Sequence, residues 1–493
     1  MAETPVEMVV RLRAKLERRK RDAQKWSDYY DGNRPLLFAS PEFSAQSGGL
    51  FEDFSDNWTQ VVPDATAERL MPMGFRLSDG SIDKAAGEAW KANECDVECG
   101  LAFLEALISG RSFALVWKPD GVNTEITFQH VSQAIVEYVP GRRRVRSAGL
   151  MVWVDGAYEF ATLFRREDRM VYRFQRERER TLIEGNGHNG FLSAGSQWEP
   201  RTAGLALGEP AHMPNPLGDE IPLVEIANRS RLRGSPRSEI QNVAPLQDAV
   251  NTLWAHLLTA SDYLALPARA VLGMDRPTRE ILDPETGEVV GEEDLPLERF
   301  RSDRLLWLER QGASIAEFSA ADLSNYTKVI EVAVQHIAAQ TRTPPHYLLG
   351  QMVNISADAL TAAESGLVSK VQERQRFFGA ALREVMRLEA LASGDPARAD
   401  ALARGSVIWR DAQYRSDAQY ADALTKYKSI NVPDEALWER IPGVDPDEIE
   451  RWKSMRDDQA AAIVGGNLAG LFGPKPDAGG VNDGTQAVLP TAG

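Results

Sequence analysis

Long apolar runs are missing from this 493-residue chain: no 18 consecutive apolar positions occur, so no membrane span is expected. Cysteine is almost absent. Cys95 and Cys99 are the whole supply, too few for a disulfide framework and suited to a reducing compartment. The opening MAETPVEMVVRLRAKLERRK has acidic residues first and no apolar core, so a secretion signal is not expected. Positive charge is in deficit, with 56 basic against 72 acidic residues and a formal net charge of −16. A chain so charged repels a phosphate backbone on average, which weighs against tight DNA binding by counterion release. A repressor, polymerase or nuclease is therefore disfavoured. The mild acidity of most soluble proteins is the plainer explanation of the same number.

Reactive-site motifs are also missing. There is no GxxxxGK[ST] phosphate cradle, no GxGxxG after a strand, no HExxH and no GxSxG. Cys95 and Cys99 stand four apart on a predicted helix, sharing a face, but no histidine lies near enough to complete a zinc site. Two helical thiols facing a core is the better reading. Six histidines are scattered, and His256 and His336 fall beside the apolar stripes of long helices, where a surface or satisfied ring outweighs a catalytic one. The run Arg142-Arg143-Arg144 with Arg146 could meet nucleic acid, but no aromatics interleave it. A solvated turn or an interface patch fits it better. The RERER run from Arg176 to Arg180 reads as a solvated strand end. No catalytic, metal-binding or cofactor-binding residue is assigned, and no cofactor is expected.

What is present is an ordinary globular balance, 43% apolar and 26% charged. The length exceeds what one core supports, so two or more structural regions are expected. Residues 6–30 read as an amphipathic helix carrying Val9, Leu12 and Leu16, closed by an Asp31-Gly32 turn. A helix is expected over 56–70, and two more over 81–110 with a break near Asn93. Six short β segments then run from Ser112 to Glu177, separated by turn residues such as Asp155-Gly156, and suggest an antiparallel meander. Residues 181–220 read as a long loop.

From Ser235 the pattern changes. Val243, Leu246, Val250, Leu253 and Leu257 recur at three- and four-residue steps, one apolar stripe, with Pro245 marking a start or a kink. A β-rich segment of roughly 55 residues follows. A second striped helix starts near Ser319, carries Leu323, Tyr326, Ile330, Ala333 and Ile337, and stops at Thr343-Pro344-Pro345. A third, capped by Ser356, extends to about Leu391, some 54 Å at 1.5 Å per residue. Its length, with no partner visible in sequence, suggests packing against neighbouring elements or subunits. Shorter helices are expected over 406–462, and a disordered tail beyond 465.

Several segments resemble the portal proteins of long-tailed bacteriophages, especially the branch found in phages of actinobacteria. They are YYDGNRPLLF (Tyr29 to Phe38), NWTQVVPDATAERLMPMGFR (Asn57 to Arg76) and SEIQNVAPLQDAVNTLWAHLLTASDYLALPARAVLG (Ser238 to Gly273). After these come GASIAEFSAADLSNYTKVIEVAVQHIAAQTRTPPHYLLG (Gly312 to Gly350), AESGL with Lys370, and VIWRDAQYRSDAQYADALTKY (Val407 to Tyr427). Each is weak alone, and their joint order over residues 25–430 is specific. Pro63 departs from the pattern and leaves the local helix geometry open.

The resemblance implies an α+β portal fold assembled as a ring of subunits, normally twelve, at one capsid vertex. It implies a wing at 1–234, a stem helix at 235–263, a clip at 264–318 and a second stem helix at 319–343. A tunnel loop at 344–357, a long wing or spine helix at 358–399, a crown at 400–464 and a tail at 465–493 complete the map. His346, Tyr347, Leu348, Leu349, Gly350, Gln351, Met352, Val353, Asn354 and Ile355 would face DNA, and the two stripes would be stem packing. That loop carries no arginine or lysine, and an acidic ring resists sticking to DNA. Implied partners are the chain itself, double-stranded DNA in transit, the terminase large subunit, major capsid and scaffolding proteins, and a head–tail adaptor. A membrane is not among them. The implied location is the virion, and the host cytoplasm during assembly. Two other readings stay open: another non-catalytic virion ring or adaptor protein, whose usual size is much smaller, and a phage nuclease or protease, for which no residue constellation is found.

Overall fold

The computed structural model describes residues 3–33, 55–118, 123–178, 197–202, 210–265, 269–272, 278–282, 284, 286–287, 289–294, 305–308, 322–350, 357–413, 417–441, 443–444 and 446–472. Chain contacts divide it into two compact units, Met1–Tyr414 and Arg415–Gly493. Half of the described residues are helical and about a fifth are strand, with no closed barrel among them, so the α+β class holds.

Helix α1 (Pro5–Tyr30) begins at a capping box. Thr4 Oγ1 accepts the Glu7 amide at 3.3 Å, Glu7 Oε2 accepts the Thr4 amide at 2.8 Å, and Pro5 occupies the first turn. Its stripe of Val9, Leu12 and Leu16 is fully buried against Ile135, Leu150 and Leu163 of a sheet. Helix α2 (Val61–Ala67) is much shorter than the expected 56–70. Pro63 sits in its first turn, where a missing amide costs nothing. The stretch before it is held by side chains instead of by helical bonds. Strand β1 (Pro72–Arg76), helix α3 (Lys84–Ala92) and helix α4 (Cys95–Ser109) follow. The break between α3 and α4 falls at Asn93 as expected: Asn93 caps α3, and Glu94 takes a left-handed conformation at φ 52°.

The six expected β segments all form, but they divide between two sheets. β2 (Arg111–Trp117) and β3 (Glu125–Gln129) join β10 (Leu223–Ala227) in the order β10-β2-β3. β4 (Ala134–Tyr138), β5 (Arg146–Asp155), β6 (Tyr158–Arg165) and β7 (Met170–Glu177) make the meander, extended by β8 (Glu199–Pro200) and β9 (His212–Pro214). The meander register pairs Leu150 with Leu163 and Trp153 with Phe160. Gly149 is required where the sheets approach, because a Cβ there would lie 2.8 Å from Ile221 Cγ2. The Gly/Pro-rich stretch therefore contains β8, β9 and, just beyond it, β10; the expected continuous loop over 181–220 is interrupted.

Helix α5 (Ala244–Ala265) leads into β11 (Arg269–Leu272), β12 (Thr278–Leu282), β13 (Val289–Asp294) and β14 (Leu305–Leu308). β12 and β13 pair antiparallel, and β11 and β14 pair parallel, so the expected β-rich segment is present. Helix α6 (Ser324–Thr341) starts later than residue 319, and residues 319–321 lie outside the described set. The short helix α7 (Pro345–Leu349), the long helix α8 (Ala357–Ala392), α9 (Pro396–Ala403) and β15 (Ser406–Trp409) finish the first unit. β15 pairs with β1, closing the chain across more than three hundred residues of sequence. No such strand was expected within 406–462.

Of the two packing partners expected for α8, neighbouring elements or subunits, its own chain supplies the first. Leu367, Val371, Phe378, Leu382, Val385 and Met386 are all buried in the largest core, with Phe75, Phe103 and Leu107. The Phe103 and Phe378 rings stack with centroids 5.0 Å apart. From Leu367 onward the helix is thus packed on its own chain. The second unit holds α10 (Asp417–Ser429), α11 (Asp434–Trp438) and α12 (Pro446–Phe472), the last two joined where Trp438 and Trp452 pack edge to face at 6.1 Å. α12 continues through 465–472, where a disordered tail was expected; residues 473–493 lie outside the described set.

Candidate functional site

The two stripes read from sequence meet each other. Val243, Val250, Ile330, Val334 and Ile337 are buried in one cluster between α5 and α6, flanked by Leu246, Leu253 and Ala333. Leu257 is buried too, while Leu323 and Tyr326 at the start of α6 are half-buried. The helices are thus each other's partners within the chain. Pro245 stands in the first turn of α5 and starts the helix without kinking it.

Side chains lash the segment before α2 to this pair. The Trp58 amide donates to Gln247 Oε1 at 2.9 Å, and Gln247 Nε2 donates to the Asp56 carbonyl at 2.6 Å. Asp56 Oδ2 accepts both indole N–H groups, from Trp58 at 2.9 Å and Trp254 at 2.7 Å. Tyr29 Oη donates to Asp248 Oδ2 at 2.7 Å, so α1 is tied to α5 as well. Trp58 and Val62 enter the α5–α6 cluster from the other side.

Helix α6 ends where Arg342 turns left-handed at φ 56° and the Thr343 amide reaches back to the Ala338 carbonyl at 3.1 Å. Pro345 then opens α7, and Gly350 closes it at φ 62°. This turn is anchored. Leu348 is buried in the α5–α6 cluster, and Leu349 packs beside it. Tyr347 is half-buried, and its hydroxyl accepts from Arg69 Nη2 at 2.8 Å. Arg69 Nη2 also sits 3.4 Å from Glu364 Oε1, and the His346 ring lies 3.9 Å from the same carboxylate. His346 to Leu349 are therefore structural contacts, and the exposed part begins at Gly350. Gln351, Met352, Val353, Asn354 and Ile355 lie outside the described residues.

A buried ion cluster joins α8 to the start of α5. Glu239 is 3% exposed and accepts from Arg374 Nε at 2.9 Å and Nη2 at 2.7 Å. Lys370 Nζ stands 3.5 Å away, Asn228 Nδ2 donates at 3.1 Å, and Arg229 approaches to 3.8 Å. Burial pushes the Glu239 carboxyl up, but Lys370, Arg374 and Arg229 outweigh it and hold it down at about 2. Burial pulls Lys370 below its ordinary value against the pull of Glu239. Sequence reasoning missed Glu239, Arg374 and Arg69. The signal for one of them was there: Lys370 and Arg374 stand four apart on the apolar side of a long helix, where two cations demand an anion.

Cys95 and Cys99 are buried free thiols on one face of α4. Burial, with the neighbouring acidic groups, pushes both up to about 12, which keeps them protonated and inert. Among the described residues no group of three or more His, Cys, Asp or Glu side chains could hold a metal ion, and no helix is long and apolar enough to cross a membrane. His256 and His336 are exposed. The basic run divides: Arg142, Arg143 and Arg144 are exposed in a turn, whereas Arg146 is buried and pairs with Glu384 and, at 3.6 Å, Glu220. Arg176 at the RERER run pairs with Glu159 instead of projecting freely into water.

Fold and site together define a mixed helix-and-sheet scaffold, in which a packed helix pair presents a short anchored turn. Comparison with known proteins supplies the class. A family model described as "Phage portal protein, SPP1 Gp6-like" matches residues 11–462. The chain is 28% identical over 441 residues to a portal protein of Mycobacterium phage D29, covering 85% of this chain and 81% of that one. It is 29% identical over 436 residues to a portal protein of Mycobacterium phage L5, with the same coverage. Among solved structures, a chain of the virion of a native gene transfer agent particle aligns with 86% of this chain and 94% of its own, at 13% identity and a TM-score of 0.39. The chain belongs to the phage portal protein family, whose members are structural, non-catalytic components of the virion.

Proposed function

We propose that this chain assembles as a dodecameric ring at one capsid vertex, the channel through which the genome is packaged and later ejected. The observation that carries this is the family match over residues 11–462, which begins within α1, ends within α12 and spans every element between. In this reading residues 1–234 form the wing, α5 and α6 form the stem within 235–263 and 319–343, and the β11–β14 segment within 264–318 is the clip. The clip would receive the terminase large subunit during packaging and a head–tail adaptor afterwards. α8 is the spine within 358–399, the crown occupies 400–464 and the tail follows at 465–493. The wing and crown would meet major capsid and scaffolding proteins.

In this reading the burial of Leu348 favours a DNA-facing part of the 344–357 loop that lies beyond it. It starts at Gly350 and extends through Gln351, Met352, Val353, Asn354 and Ile355. This stretch carries no charge, so it gives duplex DNA little to grip. The stem pair buries its apolar stripes internally, which leaves its outer faces, with Val329 and Val332 exposed among polar residues, for ring contacts. Assembly would occur in the host cytoplasm, with the virion as the final location. Electron microscopy of the purified protein should show rings with a central hole and, by class averaging, twelve subunits. A protein that stays monomeric in the presence of capsid and scaffolding proteins overturns the reading.

A further inference from the structure

Against a net charge of −16, basic residues concentrate where α1 meets the loop before α5. α1 carries eight arginines and lysines against four acids, and residues 229–237 hold four arginines and no acid. Between them lies a polar pocket of about 400 Å³, lined by Arg19, Arg111, Ser235 and Arg237, with Asp22 the one acid on its wall. The pocket is built by packing. Gly110 ends α4 at φ 90°, and a Cβ there would come within 3.1 Å of the Arg237 backbone, so only glycine lets the loop lie this close. Asn228 Nδ2 donates to the Arg237 carbonyl at 2.8 Å and fixes the loop's far end.

The arginines differ in what satisfies them. Arg111 is buried and its guanidinium donates to Glu225 Oε1 at 2.5 Å. Arg19 has a buried Nη1 with no hydrogen-bond partner. Leaving a buried cationic N–H unpaired is costly, and such groups are otherwise rare. Burial, and repulsion from Arg111, pull Arg19 down to about 10. An anion bound in the pocket would offset the repulsion between Arg19 and Arg111. Arg237 is exposed at the pocket mouth, and Arg18, Arg21, Arg231 and Arg233 continue the charge outward over the surface.

We propose that this pocket is an oxyanion site that takes a phosphate group, carried by a free phosphate ion or by the phosphodiester backbone of nucleic acid. Guanidinium forks from two directions with a serine hydroxyl suit an anion with several oxygens better than a single carboxylate. The flanking arginines suit a repeating polyanion, and they lie outside the segment assigned to the channel. The proposal is independent of the ring reading, because the site is complete within one chain.

The test uses the full-length protein titrated calorimetrically with inorganic phosphate, and separately with a short DNA duplex at low salt. Saturable phosphate binding is expected, weakened about tenfold or more by Arg19→Gln and by Arg237→Gln, as for loss of one charged hydrogen bond. Arg143→Gln, in the exposed turn elsewhere, should leave it unchanged. Arg237 is exposed, so that variant stays informative even if Arg19→Gln impairs folding. If DNA binds, is displaced by phosphate, and loses about one unit of salt slope in Arg237→Gln, the backbone is the source. Phosphate binding without DNA binding makes the free ion the ligand. No saturable phosphate binding, equal binding by all three variants, or binding of polyglutamate alone overturns the proposal.

Discussion

At the scale of single residues, the strongest constraint is a charge the chain cannot afford to lose. Glu239 neutralises two buried cations from α8, and removing one partner of a buried pair costs about 3–5 kcal/mol. Glu239→Gln should therefore lower thermal stability sharply at neutral pH, as read by calorimetric melting. The pH dependence has a definite sign. A carboxyl held at about 2 against an ordinary 4.5 contributes stability that is fully present above 4.5 and is lost as pH falls toward 2. The variant should lack that part of the acid limb; an unchanged acid limb would disprove the assignment. This cluster was poorly legible in sequence because Glu239 and Lys370 are more than a hundred positions apart. The cysteines were legible, since a four-residue spacing on a helix fixes a shared face without tertiary information.

At the scale of elements, the apolar stripes were readable but their partners were not. Spacing placed Val250 and Ile337 on buried faces, and both are fully buried. That the two faces pair with each other, and enclose Leu348, depends on a turn geometry set by Pro345 and Gly350. Leu348→Ala should cost about 2–5 kcal/mol, the range for a large-to-small change in a packed cluster, and should be visible in a denaturant melt. Deleting residues 351–355 should leave the melting temperature nearly unchanged while impairing DNA packaging or retention. Normal encapsidation in that variant would refute the DNA-facing assignment. The expected helix over 56–70 failed for a tertiary reason: Asp56 and Trp58 bond to Gln247 and Trp254, which holds the chain out of helical geometry until residue 61.

At the scale of the whole molecule, two compact units imply that truncation after Tyr414 leaves the first unit folded. Its melt should remain cooperative, and loss of cooperativity would show that residues 415–493 complete its core. The purified chain with DNA and ATP should release no phosphate, since hydrolysis belongs to a separate motor in the portal reading; turnover would revive an enzymatic role. Net charge alone gave a partial picture here, because −16 is a sum over a surface that includes an arginine-rich pocket. Charges average in sequence and separate in space.

The sequence by itself determined the alternation of helices and strands, the buried stripes, and the portal character carried by its ordered landmarks. Those properties depend on local spacing, or on residues standing in a fixed order along the chain. The tertiary structure decided which stripe covers which, that α8 is a core helix, and that β15 pairs with β1. It also decided that Leu348 packs into the α5–α6 cluster and that Arg19 has a buried Nη1 with no hydrogen-bond partner. These are contacts between residues far apart in sequence, and the free energy that selects them is gained only when distant surfaces leave water together.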